Sequence, residues 1–337
     1  MSAFFAAARE RLPKGQDFKG RDLIVLVVIW ALLVSVPFWL PFLGGYTALA
    51  SKVLVFGLAA MGLNILLGFT GVLSFGHAAY FGLGAYGAGL TLRYLVHSTP
   101  LAMLAGTLFG GLAGTLFGLL IVRRRGVYFA MCTIAFGQLW YYLAYSWNDF
   151  TGGFDGLRDF HREPIGFGAF TLDITRGETT FYFFLLAIFA AAVGLMGLLL
   201  RSPFGRTLLA IRENARRALF LGIPVERHIW LSFSISCFVA ALAGTLYALL
   251  NNFADPLTLH YSLSGYFVVM TVTGGMRTFW GPLVGAALFV LLQDYISSMT
   301  VNWMFFIGVM FILVVLFFPR GLLGMRRAAA RNASAPK

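Results

Sequence analysis

The sequence is poor in charge. Of 337 residues, 11% are Asp, Glu, Lys or Arg, against roughly a quarter in a soluble domain. So few charges cannot cover the surface of a water-soluble globule of this length, which excludes a cytosolic enzyme and a disordered chain. Cysteine is almost missing. Cys132 and Cys237 both lie in apolar runs and make no CxxC pair, so a disulfide-built module is excluded and both read as small buried apolar residues. The five histidines, at 77, 97, 161, 228 and 260, include no i,i+4 pair, and metal binding has no support. No GxxxxGK[ST] phosphate loop and no GxSxG elbow occurs, so the chain carries neither an ATP site of its own nor a serine hydrolase signature. No cofactor is expected.

What is abundant is apolar surface, 59% of the residues. Ten membrane spans of about 20 residues would use about 200 residues, close to that fraction. The apolar runs fall at 23–43, 47–68, 79–96, 100–122, 127–147, 181–200, 230–251, 266–279, 282–298 and 302–318. The expectation is an all-α integral membrane protein of about ten helices. The two runs around Gly274-Gly275 are short and are also compatible with one re-entrant unit. Residues 1–22 read as a cytoplasmic tail without a cleaved leader, 23–318 as the transmembrane domain and 319–337 as a second cytoplasmic tail. With both ends inside, 20 of the 25 Lys and Arg fall in inner segments, including Arg123 to Arg125. Six of the 13 acids fall in one outer loop, 148–180. That asymmetry is the positive-inside pattern, and it accounts for the net charge of +12 without nucleic acid. Asp294 is the one clear intramembrane acid. It lies toward the outer end of its run and reads as structural.

Three features go beyond hydropathy. Gly106, Gly110, Gly114 and Gly118 recur every four residues, a ridge that lets another helix approach closely. A glycine-rich interruption follows the second run. Gly68, Gly71 and Gly76 loosen the helix there, and Asn64, Thr70, Ser74 and His77 add hydrogen-bonding groups. Irregular backbone at membrane depth occurs where it is buried in protein or lines a cavity, so these seven residues are candidates for the translocation path, with a tight cytoplasmic turn as the alternative. Gly274 to Gly281 is a second interruption, read as a turn because Arg277 needs water. Finally, residues 201–229 form an inner segment in which Leu208, Leu209, Ile211, Ala215, Ala218, Leu219 and Leu221 recur at roughly helical spacing among arginines, until Gly222 and Pro224 stop the helix. It suits the membrane interface or docking to a partner.

These motifs resemble the LivM-type permeases, the membrane subunits of high-affinity branched-chain amino acid ABC importers. The stretch Met61 to Ala79, with Asn64, Gly68, Gly71, Ser74, Gly76 and His77, resembles the opening signature of that family. Ala210 to Ile223 resembles its coupling segment, Thr151 to Leu157 its outer-loop signature, and Gly274-Gly275 with Trp280 to Pro282 its late signature. The likeness covers about residues 23–324. One departure stands out: against the importer coupling pattern Glu-Ala-Ala-x-x-x-Gly, Arg216 and Arg217 occupy the Glu and first Ala positions, while Ala218 and Gly222 fit.

The resemblance implies a multi-pass permease of the bacterial inner membrane. Its implied partners are a second, LivH-like permease, two cytoplasmic ABC ATPases and a periplasmic solute-binding protein. Arg212, Glu213, Asn214, Ala215, Ala218, Leu219 and Gly222 would couple to the ATPases. Thr151, Gly152, Gly153 and Asp155 would contribute to the landing surface for the binding protein, or else form a solvated loop. Leucine, isoleucine or valine is the expected cargo, with urea, short amides or another small polar solute as the alternative. A self-sufficient channel or secondary carrier is a rival reading, but it leaves residues 201–229 without a role. An intramembrane enzyme built on Ser74 and His77 is another, but it lacks an Asp partner and a metal pair.

Overall fold

A computed structural model of the protein describes residues 20–40, 42, 44–167, 170–175, 177–317 and 321–323. Apart from 20–22 and 321–323, the expected cytoplasmic tails at 1–22 and 319–337 lie outside the described residues. Residues up to Gly45 make one unit and Tyr46 onward a second. The first unit holds α1, Gly20–Trp39. There the Trp39 indole N–H donates to Ser35 Oγ at 3.2 Å.

The second unit is helical throughout its apolar runs. It contains α2 (Thr47–Asn64), continued by a wider π-turn at Ile65–Thr70, α3 (His77–Leu90), α4 (Thr99–Ile121), α5 (Val127–Ser146), the single turn α6 (Asn148–Thr151) and α7 (Glu178–Arg201). Then come α8 (Pro203–Glu213), α9 (Ala215–Phe220), α10 (Val225–Asn251), α11 (Tyr261–Gly274), α12 (Gly281–Met299) and α13 (Trp303–Phe317). In the outer loop β1 (Ile165–Phe167) and β2 (Phe170–Leu172) pair antiparallel, Ile165 opposite Leu172. Each of the ten predicted runs coincides with a helix. Among the described residues, six helices are long and apolar enough to cross a bilayer on their own: Thr47–Thr70, Thr99–Ile121, Val127–Ser146, Glu178–Arg201, Val225–Asn251 and Gly281–Met299. At 14 residues, α11 rises only about 21 Å, less than the roughly 30 Å hydrocarbon core.

The core forms where α3, α4 and α10 meet, and the glycine ridge explains why. A Cβ on Gly106 would stand 2.5 Å from the Gly84 carbonyl, one on Gly110 2.7 Å from the Tyr80 carbonyl and one on Gly114 2.5 Å from Cys237 Cβ. The ridge is filled by the backbone of α3 and by side chains of α10, and it packs helices together. On the opposite face of α4, Leu104, Leu108, Leu112, Leu116 and Leu119 are exposed. A row of exposed leucines beside a close-packed glycine face is stable in lipid, where small residues favour helix contacts and leucine matches the acyl chains.

The helix ends sort into two groups. At one end Thr99 Oγ1 donates to the Glu163 carbonyl, Arg162 N–H to Asn252 Oδ1, and Leu157 pairs with Ala254. Tyr46 Oη donates to Asp294 Oδ1 there at 2.7 Å, which satisfies the acid as the sequence suggests. At the other end the interruption 65–76, the end of α4, the segment 201–225 and the turn 275–280 come together. Arg123 to Arg125 and Arg212 lie at this second end, the one that the positive-inside pattern leads us to expect on the cytoplasmic side.

Candidate functional site

The arginine-rich end is built around an elbow. Pro203 starts α8 at a position where a missing N–H costs nothing. The helix stops at Asn214, whose backbone is extended and whose Oδ1 accepts the Arg217 N–H at 2.9 Å, capping α9. The single amphipathic helix expected here is therefore two helices, because Asn214 competes for the backbone better as a cap than as an interior residue. Gly222 then closes α9. Its φ of +81° lets its N–H reach the Leu219 carbonyl at 2.9 Å while the Ile223 N–H reaches Ala218 at 3.1 Å, a Schellman closure.

The elbow also divides the expected apolar set. Leu208, Ile211 and Ala218 are buried. Ile211 and Ala218 join Val225 and Ile229 in a cluster packed by Val72, Val122, Ala215 and Ile223. Leu209, Leu219 and Leu221 are exposed, and Phe220 is 88% exposed. Arg212 is half-buried, and Glu213 and Gly222 are exposed. The inward face thus anchors the elbow to the first interruption, through Val72, and to α4, through Val122. The outward tip, Leu219 to Leu221, is an apolar point facing away from the protein.

The two interruptions touch each other. Asn64 Nδ2 donates to the Thr278 carbonyl at 3.0 Å, across from the second turn. A Cβ on Gly68 would collide with Asn64 Oδ1 and the Met276 carbonyl. Thr70 Oγ1 lies 3.1 Å from the Ile65 carbonyl and 3.2 Å from Ser232 Oγ of α10. At Gly71 φ is +80°, and a Cβ there would sit 2.9 Å from Arg212 Cγ of the elbow. A Cβ on Gly76 would strike the Thr133 carbonyl of α5.

His77 is fully buried and bridges Ser74 Oγ, 2.9 Å from Nδ1, and Ser236 Oγ, 2.7 Å from Nε2. The Ser236 hydroxyl proton goes to the Gly62 carbonyl at 2.6 Å, so Nε2–H donates to Ser236 and Nδ1 accepts from Ser74. The seven predicted path residues therefore form one seam. Asn64, Gly68, Thr70, Ser74, Gly76 and His77 are buried, and Gly71 is exposed.

At the outer end Thr151 Oγ1 lies 2.6 Å from both the Ala144 and the Trp147 carbonyls. Gly152 and Gly153 have φ of +81° and +55°, and a Cβ on either would run into Gly156 or Asn148. Asp155 and Phe154 are exposed beside them. Arg162 stacks its guanidinium 4.1 Å from the Phe181 ring. Burial lowers its pKa, and the Glu178 charge partly restores it.

Comparison with known proteins is consistent with this geometry. The family described as "Branched-chain amino acid transport system / permease component" matches residues 45–315. The chain belongs to this family. It is 27% identical over 328 residues to the high-affinity branched-chain amino acid transport system permease protein LivM of Escherichia coli strain K12, covering 90% of this chain and 74% of that one. It is 28% identical to LivM of Salmonella typhimurium over the same shares. A 109-residue stretch is 32% identical to the L-arabinose ABC transporter permease protein AraH of Azospirillum brasilense, covering 31% of this chain and 32% of that one. No solved structure matches. As a family member the chain is a multi-pass membrane permease component. Ser232, Ser236 and Thr278 sit at the site without having been marked in the sequence. Isolated serines and threonines in apolar helices give no local signal, and their partners lie up to 214 residues away.

Proposed function

We propose that this chain is the membrane-spanning half of an ATP-driven importer of the bacterial inner membrane, carrying leucine, isoleucine or valine from periplasm to cytoplasm. The observation that supports it most is the elbow. Its tip is exposed, while its base is packed on the first interruption and Arg212 lies against Gly71. A protein that grips Leu219 to Gly222 would thereby move the seam between Asn64 and His77, so the elbow serves as a lever. Two cytoplasmic ATPases would grip this elbow and its counterpart on a second, LivH-like permease. The solute path runs along the exposed edge of the interruption at Gly71, and the buried His77 chain fixes the shape of that edge. On the outer side, Asp155 and Phe154 face the solute-binding protein, on a turn shaped by Thr151, Gly152 and Gly153. The LivM relatives support the cargo by their names. The stretch shared with AraH supports a second reading, the same lever moving another small polar solute.

The test is uptake of radiolabelled leucine by proteoliposomes holding the complete complex, with ATP trapped inside and binding protein outside. ATP-dependent leucine accumulation is expected. Uptake that persists without ATP would overturn the importer reading, and ATP-dependent uptake of a different solute alone would select the second.

A further inference from the structure

A groove opens between α4 and α5. It holds about 590 Å³ and is lined by Phe109, Leu112, Leu116, Phe117, Leu120 and Trp140. Phe117 lies close to Phe136 of α5, with ring centres 4.1 Å apart, and Trp140 stands edge-to-face with Phe109 and Phe117 at 6.1 and 6.2 Å. These rings bridge the two helices, and Leu112, Leu116 and Leu120 beside them are exposed. From Phe109 to Leu120 the helix rises about 16 Å, the depth of one leaflet of a bilayer whose core is roughly 30 Å thick. At the Leu120 end the groove meets the turn that joins its walls. Helix α4 ends at Ile121 and α5 begins at Val127, so Arg123, Arg124 and Arg125 stand between them, all exposed. No Asp or Glu occurs in α4, the turn or α5, and the three guanidinium groups make no ion pair among the described residues. Tyr128, 74% exposed, marks the headgroup level, where amphipathic aromatic rings settle. A second helix fits this groove poorly. Helices in lipid meet through small residues, and α4 turns its glycines to α3 and α10. Leu, Phe and Trp with an arginine cluster at one end match an acyl chain and an anionic headgroup.

We propose that this groove binds an anionic phospholipid of the leaflet at the arginine-rich end. One acyl chain lies along α4 from Leu120 to Phe109. The headgroup phosphate accepts from the guanidinium groups of Arg123 to Arg125, whose forks of N–H donors suit phosphate oxygens. Phosphatidylethanolamine carries an ammonium of its own and gains less from three cations than phosphatidylglycerol does. The site requires only that the chain is embedded in a bilayer, so it stands apart from the importer reading and its cargo.

The experiment loads the complete complex in mild detergent with equal amounts of phosphatidylglycerol and phosphatidylethanolamine, and reads by native mass spectrometry the lipid carried by this chain. Wild type should keep phosphatidylglycerol in preference. Arg124→Gln should cut that retention about fivefold, the share expected of one cation at an anionic headgroup. Ala113→Trp, which fills the groove from its wall, should cut it at least as far while the subunits stay together. A second measurement uses nanodiscs holding phosphatidylglycerol with brominated chains, which quench indole emission on contact. Of the seven tryptophans, Trp140 should carry most of the quenching that saturates at low lipid fraction, so Trp140→Phe should remove it. Equal retention of the two lipids, or phosphatidylglycerol retention unchanged in both Arg124→Gln and Ala113→Trp, would leave ordinary bilayer contact and overturn the proposal. Loss of a partner subunit from Ala113→Trp with its lipid unchanged would give the groove to a protein contact and overturn it as well.

Discussion

Gly153 in the outer loop and Gly222 in the inner elbow both hold backbone at positive φ, +55° and +81°. A Cβ on Gly153 would run into Asn148 Oδ1, whereas one on Gly222 meets nothing within 4 Å. The outer glycine is enclosed by its own chain, like its neighbour Thr151. The inner glycine closes a helix and leaves open space around it. Gly153 thus helps shape a turn, whereas Gly222 leaves a surface for something else to occupy. One glycine-rich pattern serves structure at one end and contact at the other.

Three variants sharpen that contrast. The largest effect is expected from Gly153→Val. A β-branched residue at positive φ, pressed on Asn148, should cost about 3 kcal/mol or more, seen as a drop in thermal midpoint of the detergent-purified protein and loss of uptake together. If the midpoint holds, the outer turn is not enclosed as described. Gly222→Trp comes next. The left-handed backbone should cost about 1 kcal/mol, leaving membrane levels and midpoint near wild type while uptake and solute-stimulated ATP hydrolysis fall at least about tenfold. Wild-type uptake would remove the docking surface from the account. Thr151→Ala should do least, losing about 1 kcal/mol for the hydroxyl that ties α6 to α5, with most of that restored in Thr151→Ser. A protease-nicking assay on the outer loop reads the difference.

The fold was legible wherever hydropathy alone decides it. Ten apolar runs coincide with ten helices, and the ridge from Gly106 to Gly118 correctly marked a close helix contact. What escaped depended on a single cap or on distant partners. Asn214 lies in the middle of a segment expected to be one helix, and its side chain instead takes the Arg217 N–H and starts a second. Helix α11 begins at Tyr261, five residues before the predicted run, because the half-buried His260 caps it through the Ser262 N–H. The Gly-rich interruption was visible, but not that it packs on the second turn through Asn64 and Thr278 or hangs on Ser236 through His77. Those contacts join residues 159 to 214 positions apart, and no local pattern encodes them.

The central claim is that the elbow faces the cytoplasm and is held there by an ATPase. Phe220→Cys tests it directly, since Cys237 is buried and Cys132 partly so. A membrane-impermeant maleimide should label the introduced thiol only when inside-out vesicles are used, and a thiol-to-amine cross-linker should join it to the ATPase subunit in the intact complex. Labelling from the periplasmic face, or the absence of any cross-link to the ATPase while the complex transports, would contradict the account.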